Sequence, residues 1–358
     1  MKLFLIGGFL GSGKTTAIQQ ACMELLNDDV KVAVITNDQG SRLIDTEYIR
    51  SFSIPTQEVV NGCFCCNYEQ LSHGISSLVE QHNPAIIFAE SVGSCTDLVA
   101  TIAKPLANFN PQLEVSISVF ADACLLLSLV NGTSCFLDET VQYIYKKQLE
   151  EADIIVINKI DLLNNGELNQ VKEILQSDYS GKKILVQNSL NKESVRKWIN
   201  DLNNYKTSGH RKSLDLDYDI YGEGEARLGW MDVELSIITG DQSADEITVI
   251  LIKKFYSRIT ELQLPIGHLK FLIDDGTEKT KISYTTAGQE EIKISNNLKR
   301  TSAVHLLINA RVQTEPDKLK RILNSVITSV TATMDVTITT NNLSFFKPGF
   351  PKPTHWLA

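Results

Sequence analysis

Residues Gly8-Phe9-Leu10-Gly11-Ser12-Gly13-Lys14-Thr15 match the GxxxxGK[ST] phosphate-binding loop in full. Such a loop serves a nucleoside triphosphate. Glycines at 8, 11 and 13 let backbone N–H groups curl around phosphate oxygens, and the helix that follows adds its positive end. Lys14 reaches the β/γ oxygens, and Thr15 is placed to ligate Mg²⁺. A second set, Asn158-Lys159-Ile160-Asp161, has the NKxD spacing. The Asp161 carboxylate can accept from both N1–H and the exocyclic amine of guanine, a donor pair that adenine lacks, so guanine is favoured. The third set is Cys63-Phe64-Cys65-Cys66, which puts three of the seven cysteines within four residues, directly after the turn-forming dipeptide Asn61-Gly62. Three thiolates suit Zn²⁺ or Cu(I) and leave tetrahedral zinc one position short. In an extended strand Cys63 and Cys65 would share a face and Cys66 would point away, so chelation by all three requires the chain to bend. The rival readings are a Cys63/Cys66 redox pair and three inert buried thiols. His73 and Cys95 are candidates for a fourth ligand, but each reads more readily as a plain local residue.

These groups need a scaffold. Lys2–Ile6 before the loop reads as a buried parallel strand, and Thr15–Leu26 after it has helical spacing. Short apolar runs at Val30–Thr36, Ala85–Ala89, Val115–Phe120, Ile154–Ile157 and Ile184–Val186 alternate with helical stretches, as a doubly wound, mostly parallel α/β sheet demands. The loop, Glu90 and the NKxD set all fall at the C-terminal ends of such strands, the edge where open α/β sheets bind ligands. Glu90 is therefore expected to hold Mg²⁺ through water or to orient the attacking water. Asp38 and Asp45 are further candidates for Mg²⁺ or switch contacts, and Asp122 reads equally as a site acid and as a helix N-cap.

Near residue 203 the composition turns to Asn, Lys, Ser, Gly and acids, which reads as a linker over 203–228 between a nucleotide domain, 1–202, and a second domain, 229–345, with a Pro/aromatic tail at 346–358 that packs on that second domain. The second domain reads as strand (Met231–Ile238), helix (Asp245–Leu262), strands at His268–Ile273, Lys281–Thr286 and Val304–Val312, helix (Pro316–Val330) and strand (Asp335–Thr340). That order predicts a smaller α+β sandwich.

At 358 residues and 43% hydrophobic content the chain can fill two cores. Its formal charge of −9, with no cluster of Lys or Arg, argues against a nucleic-acid face. No apolar run is long enough to span a bilayer. The phosphate loop begins before a signal-peptide cleavage site could follow Lys2 and its apolar run, and an odd number of mostly scattered cysteines suits a reducing compartment. The expected location is the cytoplasm.

Taken together the motifs resemble the CobW-like GTPases, a family related to HypB, UreG and MeaB. The opening resembles the family's TGFLGAGKTT. Asn37-Asp38-Gln39-Gly40 through Ile44-Asp45 keeps the length and ends of its NEFGEVGID segment, and Glu58 to Cys66 resembles its ELxNGCxCC. Glu90-Ser91-Val92-Gly93 resembles its ETTG, Phe120 to Ala123 its VVDA, and Asn158 to Asp161 its NKxD, all in the family's order over about the first 200 residues. Departures are Gln39 for Phe, Ser41-Arg42-Leu43 for Glu-Val-Gly, and an interdomain stretch with one histidine, His210, where many members are His-rich. The resemblance implies nucleotide contacts from Ser12, Thr16, Lys159 and Ser189 in addition to those above. It implies a slow GTPase, binding GTP and GDP with Mg²⁺, that holds zinc (or Co²⁺) at Cys63, Cys65 and Cys66. Delivery of the metal to a client protein would be coupled to hydrolysis, and a homodimer is an open alternative to the monomer. Two other readings remain: a chaperone for corrinoid proteins or cobalamin-dependent enzymes, and a regulatory GTPase with a structural or redox cysteine cluster.

Overall fold

A computed structural model describes residues 1–40, 44–133, 138–206, 211–285 and 300–358. Ser41, Arg42, Leu43, His210 and Thr286, all named above, lie outside the described residues. The chain forms two compact units, one comprising Met1–Ser41, Ile49–Gly224 and Phe350–Ala358, the other Arg42–Tyr48 and Glu225–Gly349.

In the first unit the central apolar runs become strands buried on both faces, which a parallel sheet covered by helices allows, while the edge run at Ile184–Val186 is half-buried. The strands are β1 (Lys2–Gly8), β2 (Val32–Asn37), β3 (Thr56–Val59), β4 (Ile86–Glu90), β5 (Glu114–Asp122), β6 (Ile154–Asn158) and β7 (Lys183–Gln187), in the order β3-β2-β4-β1-β5-β6-β7 with every pair parallel. One consequence is decisive for the site. Parallel strands end at a common edge, so Asn37, Gly8, Glu90, Asp122 and Asn158, the last residues of β2, β1, β4, β5 and β6, are brought to one rim. β3 was not expected, since Thr56-Gln57-Glu58 carries no apolar run; it forms by register pairing Val34 with Thr56 through Asn37 with Val59. Trp198, on the helix Lys192–Asn204, packs against Phe88 and Phe120 and donates its indole N–H to Ser118 Oγ at 3.1 Å. The acidic stretch 203–228 contains a helix, Tyr218–Ala226, whose start is held by Asp217 Oδ1 accepting from the N–H groups of Asp219 and Ile220. No helix among the described residues is long and apolar enough to cross a membrane.

The second unit is an antiparallel sheet, β10 (Lys279–Tyr284), β9 (Ile266–Asp274), β11 (Ala303–Val312), β8 (Gly229–Ile238) and β12 (Thr337–Phe346) in that order, with helices Ala244–Glu261 and Pro316–Thr331. The second helix buries Leu319, Ile322, Leu323, Val326 and Val330, the stripe expected of a 3.6-residue period. β12 runs six residues beyond the expected Thr340 because Asn342–Phe346 continues to pair with β8 after a bulge.

Asp45 is a correction. Instead of facing nucleotide or metal, it lies between Lys270 Nζ at 2.5 Å and Lys281 Nζ at 2.7 Å, while neighbouring Ile44 is buried with Leu272 and Leu307. Burial pushes the Asp45 carboxyl up, but the two ammonium groups overcome that and hold it well below the usual carboxylate range. A depressed folded-state pKa contributes stability that is present above the unfolded value of about 3.9 and lost as pH falls below it. Asp45→Asn is expected to cost the second unit on the order of 3 kcal/mol at pH 7, because it leaves two lysines without their counter-charge, and less near pH 2, where the unfolded-state carboxyl is already protonated. Urea denaturation at both pH values measures this; an equal loss at both would reject the ion-pair account.

Candidate nucleotide and metal site

The phosphate loop is built by backbone geometry that side chains would block. Gly8, Gly11 and Gly13 have φ of 125°, 74° and 89°. A Cβ on Gly8 would stand 2.2 Å from the Phe120 carbonyl oxygen, and one on Gly13 2.3 Å from Asn158 Nδ2. The loop thus has to be glycine where β5 and the NKxD segment press on it. The helix Lys14–Asn27 starts at Lys14, so its free N–H groups face the loop. Lys14 Nζ donates to the carbonyls of Gly8 at 2.6 Å and Phe9 at 3.2 Å, curled over the loop it would serve. Thr15 Oγ1 donates to Glu90 Oε1 at 2.8 Å, and both groups are buried. A hydroxyl and a carboxylate side by side are hard oxygen donors that fit Mg²⁺. Ser12 is buried in the loop, and Thr16 follows Thr15 on the first helical turn, half-buried.

The NKxD segment is tied to the same loop. Asn158 Nδ2 donates to the Ser12 carbonyl at 2.8 Å, and its Oδ1 accepts from Ser189 N–H at 3.2 Å and Ser189 Oγ at 2.8 Å. Asn158 is therefore a clasp between two loops, and Ser189 lies beside it. Lys159 adopts φ of 64° and places Nζ 3.1 Å from Asp122 Oδ2. Asp122 also caps the helix Ala123–Val130 through Cys124 and Leu125 N–H, the N-cap of its two sequence readings. Asp161 sits exposed in the short turn Ile160–Leu162, open to a ligand. Asp38, half-buried, spends Oδ1 on the Gly40 N–H at 3.0 Å in an Asx turn.

The cysteines converge as the bend requires. Asn61 and Gly62 take φ of 59° and 152°, then Cys66 N–H and Asn67 N–H return to the Cys63 carbonyl at 3.1 and 2.9 Å. The three sulfurs stand 2.7 Å (Cys63–Cys65), 3.3 Å (Cys63–Cys66) and 3.8 Å (Cys65–Cys66) apart. Zinc–sulfur bonds of about 2.3 Å in a tetrahedron separate sulfurs by about 3.8 Å, so a small opening of the turn accommodates the ion. Thiol donors from Cys65, Cys66 and Cys95 hold the Cys63 sulfur well below the usual thiol range despite its burial. The reciprocal bonds raise Cys65, and Cys66 is pushed up to about 11, first by its bond with Cys63. The turn leads directly into the helix Tyr68–His82. His73, a candidate fourth ligand, is exposed on that helix.

Two structural partners of the turn were not legible in the sequence. Asn37, the last residue of β2, donates to the carbonyls of Val59 at 3.0 Å and Gly62 at 2.7 Å and accepts from Phe64 N–H at 2.9 Å. An asparagine before an Asp-Gln-Gly turn gives no signal of this use. The tail is the other, and a second correction. It was expected to pack on the second domain; instead Phe350–Ala358 belongs to the first unit. Lys352 N–H donates to Cys66 Sγ at 3.3 Å, and Thr354 donates to the carbonyls of Cys65 and Cys66 at 2.8 and 3.1 Å. His355 lies edge-on to Tyr68 with centroids 4.7 Å apart, and Trp356 Nε1 donates to Asp97 Oδ2 at 3.1 Å. The cysteine turn therefore lies under a strap of chain contributed from nearly 300 residues away.

Comparison with known proteins adds the family. Residues 2–200 match the family model described as CobW/HypB/UreG, nucleotide-binding domain. A zinc chaperone CobW of Sinorhizobium sp is 25% identical over 211 residues, covering 51% of this chain and 57% of that protein. The zinc chaperones YeiR and YjiA of Escherichia coli (strain K12) are 32% and 28% identical, covering 44% and 46% of this chain and 46% and 50% of their own lengths. The chain thus spans about half the length of the curated relatives it matches. Among solved structures, HypB from Helicobacter pylori in complex with nickel aligns at 14% identity and a TM-score of 0.43, over 58% of this chain and 90% of that one. With its phosphate loop, its NKxD clasp and a family model matched over more than half its length, the chain belongs to the CobW/HypB/UreG family of P-loop GTPases.

Proposed function

We propose that this protein hydrolyses GTP and uses the cycle to hold and hand over a thiophilic metal ion, zinc foremost, at Cys63, Cys65 and Cys66. Three thiol ligands and the likeness to zinc chaperones support zinc over harder ions. Ser12, Thr16, Asn158 and Ser189 shape the nucleotide pocket in this reading. Lys14 leaves its loop carbonyls for the β/γ oxygens, and Glu90 with Thr15 holds Mg²⁺, which neutralises phosphate charge when bound. Asp38 is placed on the switch turn as an outer candidate for the same ion. The recipient is a metal-requiring protein, and a second copy of this chain is a candidate for completing the nucleotide site.

The observation that carries the coupling is Asn37. It ends β2, directly precedes the turn Asp38–Gly40, and holds both sides of the cysteine turn by three hydrogen bonds. Gly40 O also accepts from Asn61 N–H at 3.3 Å. A shift of that turn toward the γ-phosphate pulls directly on the chain that spaces the sulfurs. Zinc affinity is therefore expected to differ between the GDP state and a non-hydrolysable GTP analogue by ~1–3 kcal/mol, with nucleotide affinity changed by the same factor when zinc is present. Calorimetric zinc titration in both states measures it; equal affinities would leave a GTPase with a structural or redox cysteine cluster.

The base is tested separately. Asp161→Asn replaces a double acceptor by one amide, so GTP binding weakens by about 1–3 kcal/mol while xanthosine triphosphate, whose C2 oxygen accepts from that amide, gains relative to it. Competition among GTP, ATP and XTP reads the preference, and ATP binding the wild type as tightly as GTP would remove the guanine assignment.

A further inference from the structure

Local chemistry lays the strap across the cysteine turn. Pro351 and Pro353 fix φ at about −65° and have no N–H, so the stretch Pro351–Thr354 is extended and its two backbone donors belong to Lys352 and Thr354. Both are spent on the turn. Lys352 N–H reaches Cys66 Sγ at 3.3 Å and Thr354 N–H the Cys65 carbonyl at 2.8 Å, while Thr354 Oγ1 donates to the Cys66 carbonyl at 3.1 Å. Before them, the Phe350 ring fills space that Gly222 leaves open; a Cβ on Gly222 would stand 2.2 Å from the ring. After them, Trp356 Nε1 donates to Asp97 Oδ2 at 3.1 Å and Leu357 N–H to the Ala100 carbonyl at 3.0 Å. Asp97 is a fixed anchor. It is fully buried with φ of 66°, its Oδ2 also accepts from Tyr218 OH at 2.7 Å, and on either side of it Thr96 Oγ1 (3.2 Å) and Leu98 N–H donate to Glu151.

Turn and strap differ in how easily they open. Cys63 and Cys65 are each 3% exposed, whereas Phe350 and Trp356 are both 52% exposed and Lys352 and Thr354 face solvent. A segment with few buried apolar contacts and solvent-exposed hydrogen bonds opens locally, at a free energy well below that of global unfolding. We propose that Phe350–Leu357 is a gate over the cysteine turn, latched at Asp97, that controls access to Cys66 and so the rate at which metal enters and leaves. This rests on the reading of Cys63, Cys65 and Cys66 as a metal site and says how exchange there is regulated. Cys66 is the half-buried member of the trio, and the closed strap puts a backbone N–H on its sulfur. Hand-over exchanges one metal–sulfur bond for a bond to the recipient's donor, with no change in oxidation state, and the incoming donor needs an open position at the ion. With the strap down that approach is covered on the Cys66 side; with it lifted the ligand set is unchanged and the ion is reachable.

Amide hydrogen exchange on the full-length wild type tests the lifting without any variant. The Lys352 and Thr354 amides are expected to exchange at least ~100-fold faster than the buried amides of β1 and β4, and protection equal to that of those strands would overturn the gate. Trp356→Phe keeps a ring but removes the latch donor. Alkylation of Cys66 in the reduced, metal-free variant, followed by peptide mass spectrometry, should run about 10-fold faster than in wild type, the effect of one lost hydrogen bond on the closed state. Cys124, half-buried on the helix Ala123–Val130, should keep its rate. Thr354→Pro, which removes both donors of that residue, should act in the same direction, and in the zinc-loaded variants withdrawal of the ion by a chelator should accelerate with the labelling. Wild-type Cys66 rates in both variants, or equal acceleration at Cys66 and Cys124, would reject the proposal. The parent reading fails separately: if zinc titration of the wild type finds no site at the trio while Cys66 labelling still depends on Trp356, the cover stands and the metal reading does not.

Discussion

Lys14→Ala is expected to lower GTP turnover by about 10²–10³-fold, because in the proposed reading the ammonium lost is the group that would meet negative charge as it develops on the β/γ oxygens. Lys14 is buried within the loop, with Nζ held by the Gly8 and Phe9 carbonyls, and Lys159, the neighbouring cation of the NKxD segment, is engaged by Asp122 3.1 Å away. The loop itself should survive the change, since its shape comes from the positive φ values of Gly8, Gly11 and Gly13 and from the Asn158 clasp on Ser12. GDP binding is therefore expected to weaken less than turnover. Phosphate release under single-turnover conditions, set beside GDP binding by fluorescence, separates the two, and wild-type turnover by Lys14→Ala would remove this loop from the chemistry.

Cys65→Ser carries the other large effect: zinc affinity falls by more than the 10–100-fold typical of losing a mere supporting contact. A buried thiol that would bind zinc as the thiolate is replaced by a hydroxyl that neither ionises at neutral pH nor matches zinc's preference for sulfur. The same variant should abolish the difference in zinc affinity between the GDP and GTP-analogue states. In the metal-free wild type Cys65 and Cys66 keep their protons, held by their bonds with Cys63, so zinc must displace them and its affinity declines as pH is lowered. Competition with a chromophoric chelator gives the affinities. Retention of wild-type zinc binding in Cys65→Ser would leave the cluster without a metal-binding role.

The alternation of strands and helices in the first unit, β3 apart, was readable from residue types alone, because it rests on local rules. A glycine-rich loop between an apolar run and a helical run has few other solutions, and apolar stretches alternating with amphipathic ones force a parallel sheet whose ends share a rim. The bend at Cys63–Cys66 followed from requiring three sulfurs to meet. The same locality explains the stripe from Leu319 to Val330 and the placement of Pro316 at its start.

What the tertiary structure decided is every contact made by groups whose partners are distant in sequence and whose residue types have many uses. Asp45 read as a switch acid until Lys270 and Lys281 claimed it. Thr56–Val59 became a strand only because β2 offered an unpaired edge. Asn37, one of many asparagines, became the anchor of the cysteine turn, and the tail crossed back to lie over Cys65 and Cys66 instead of resting on the second domain. Residue type and spacing specify chemistry and local geometry; hydrogen bonds between strand ends and loops are fixed only when packing brings their backbones together.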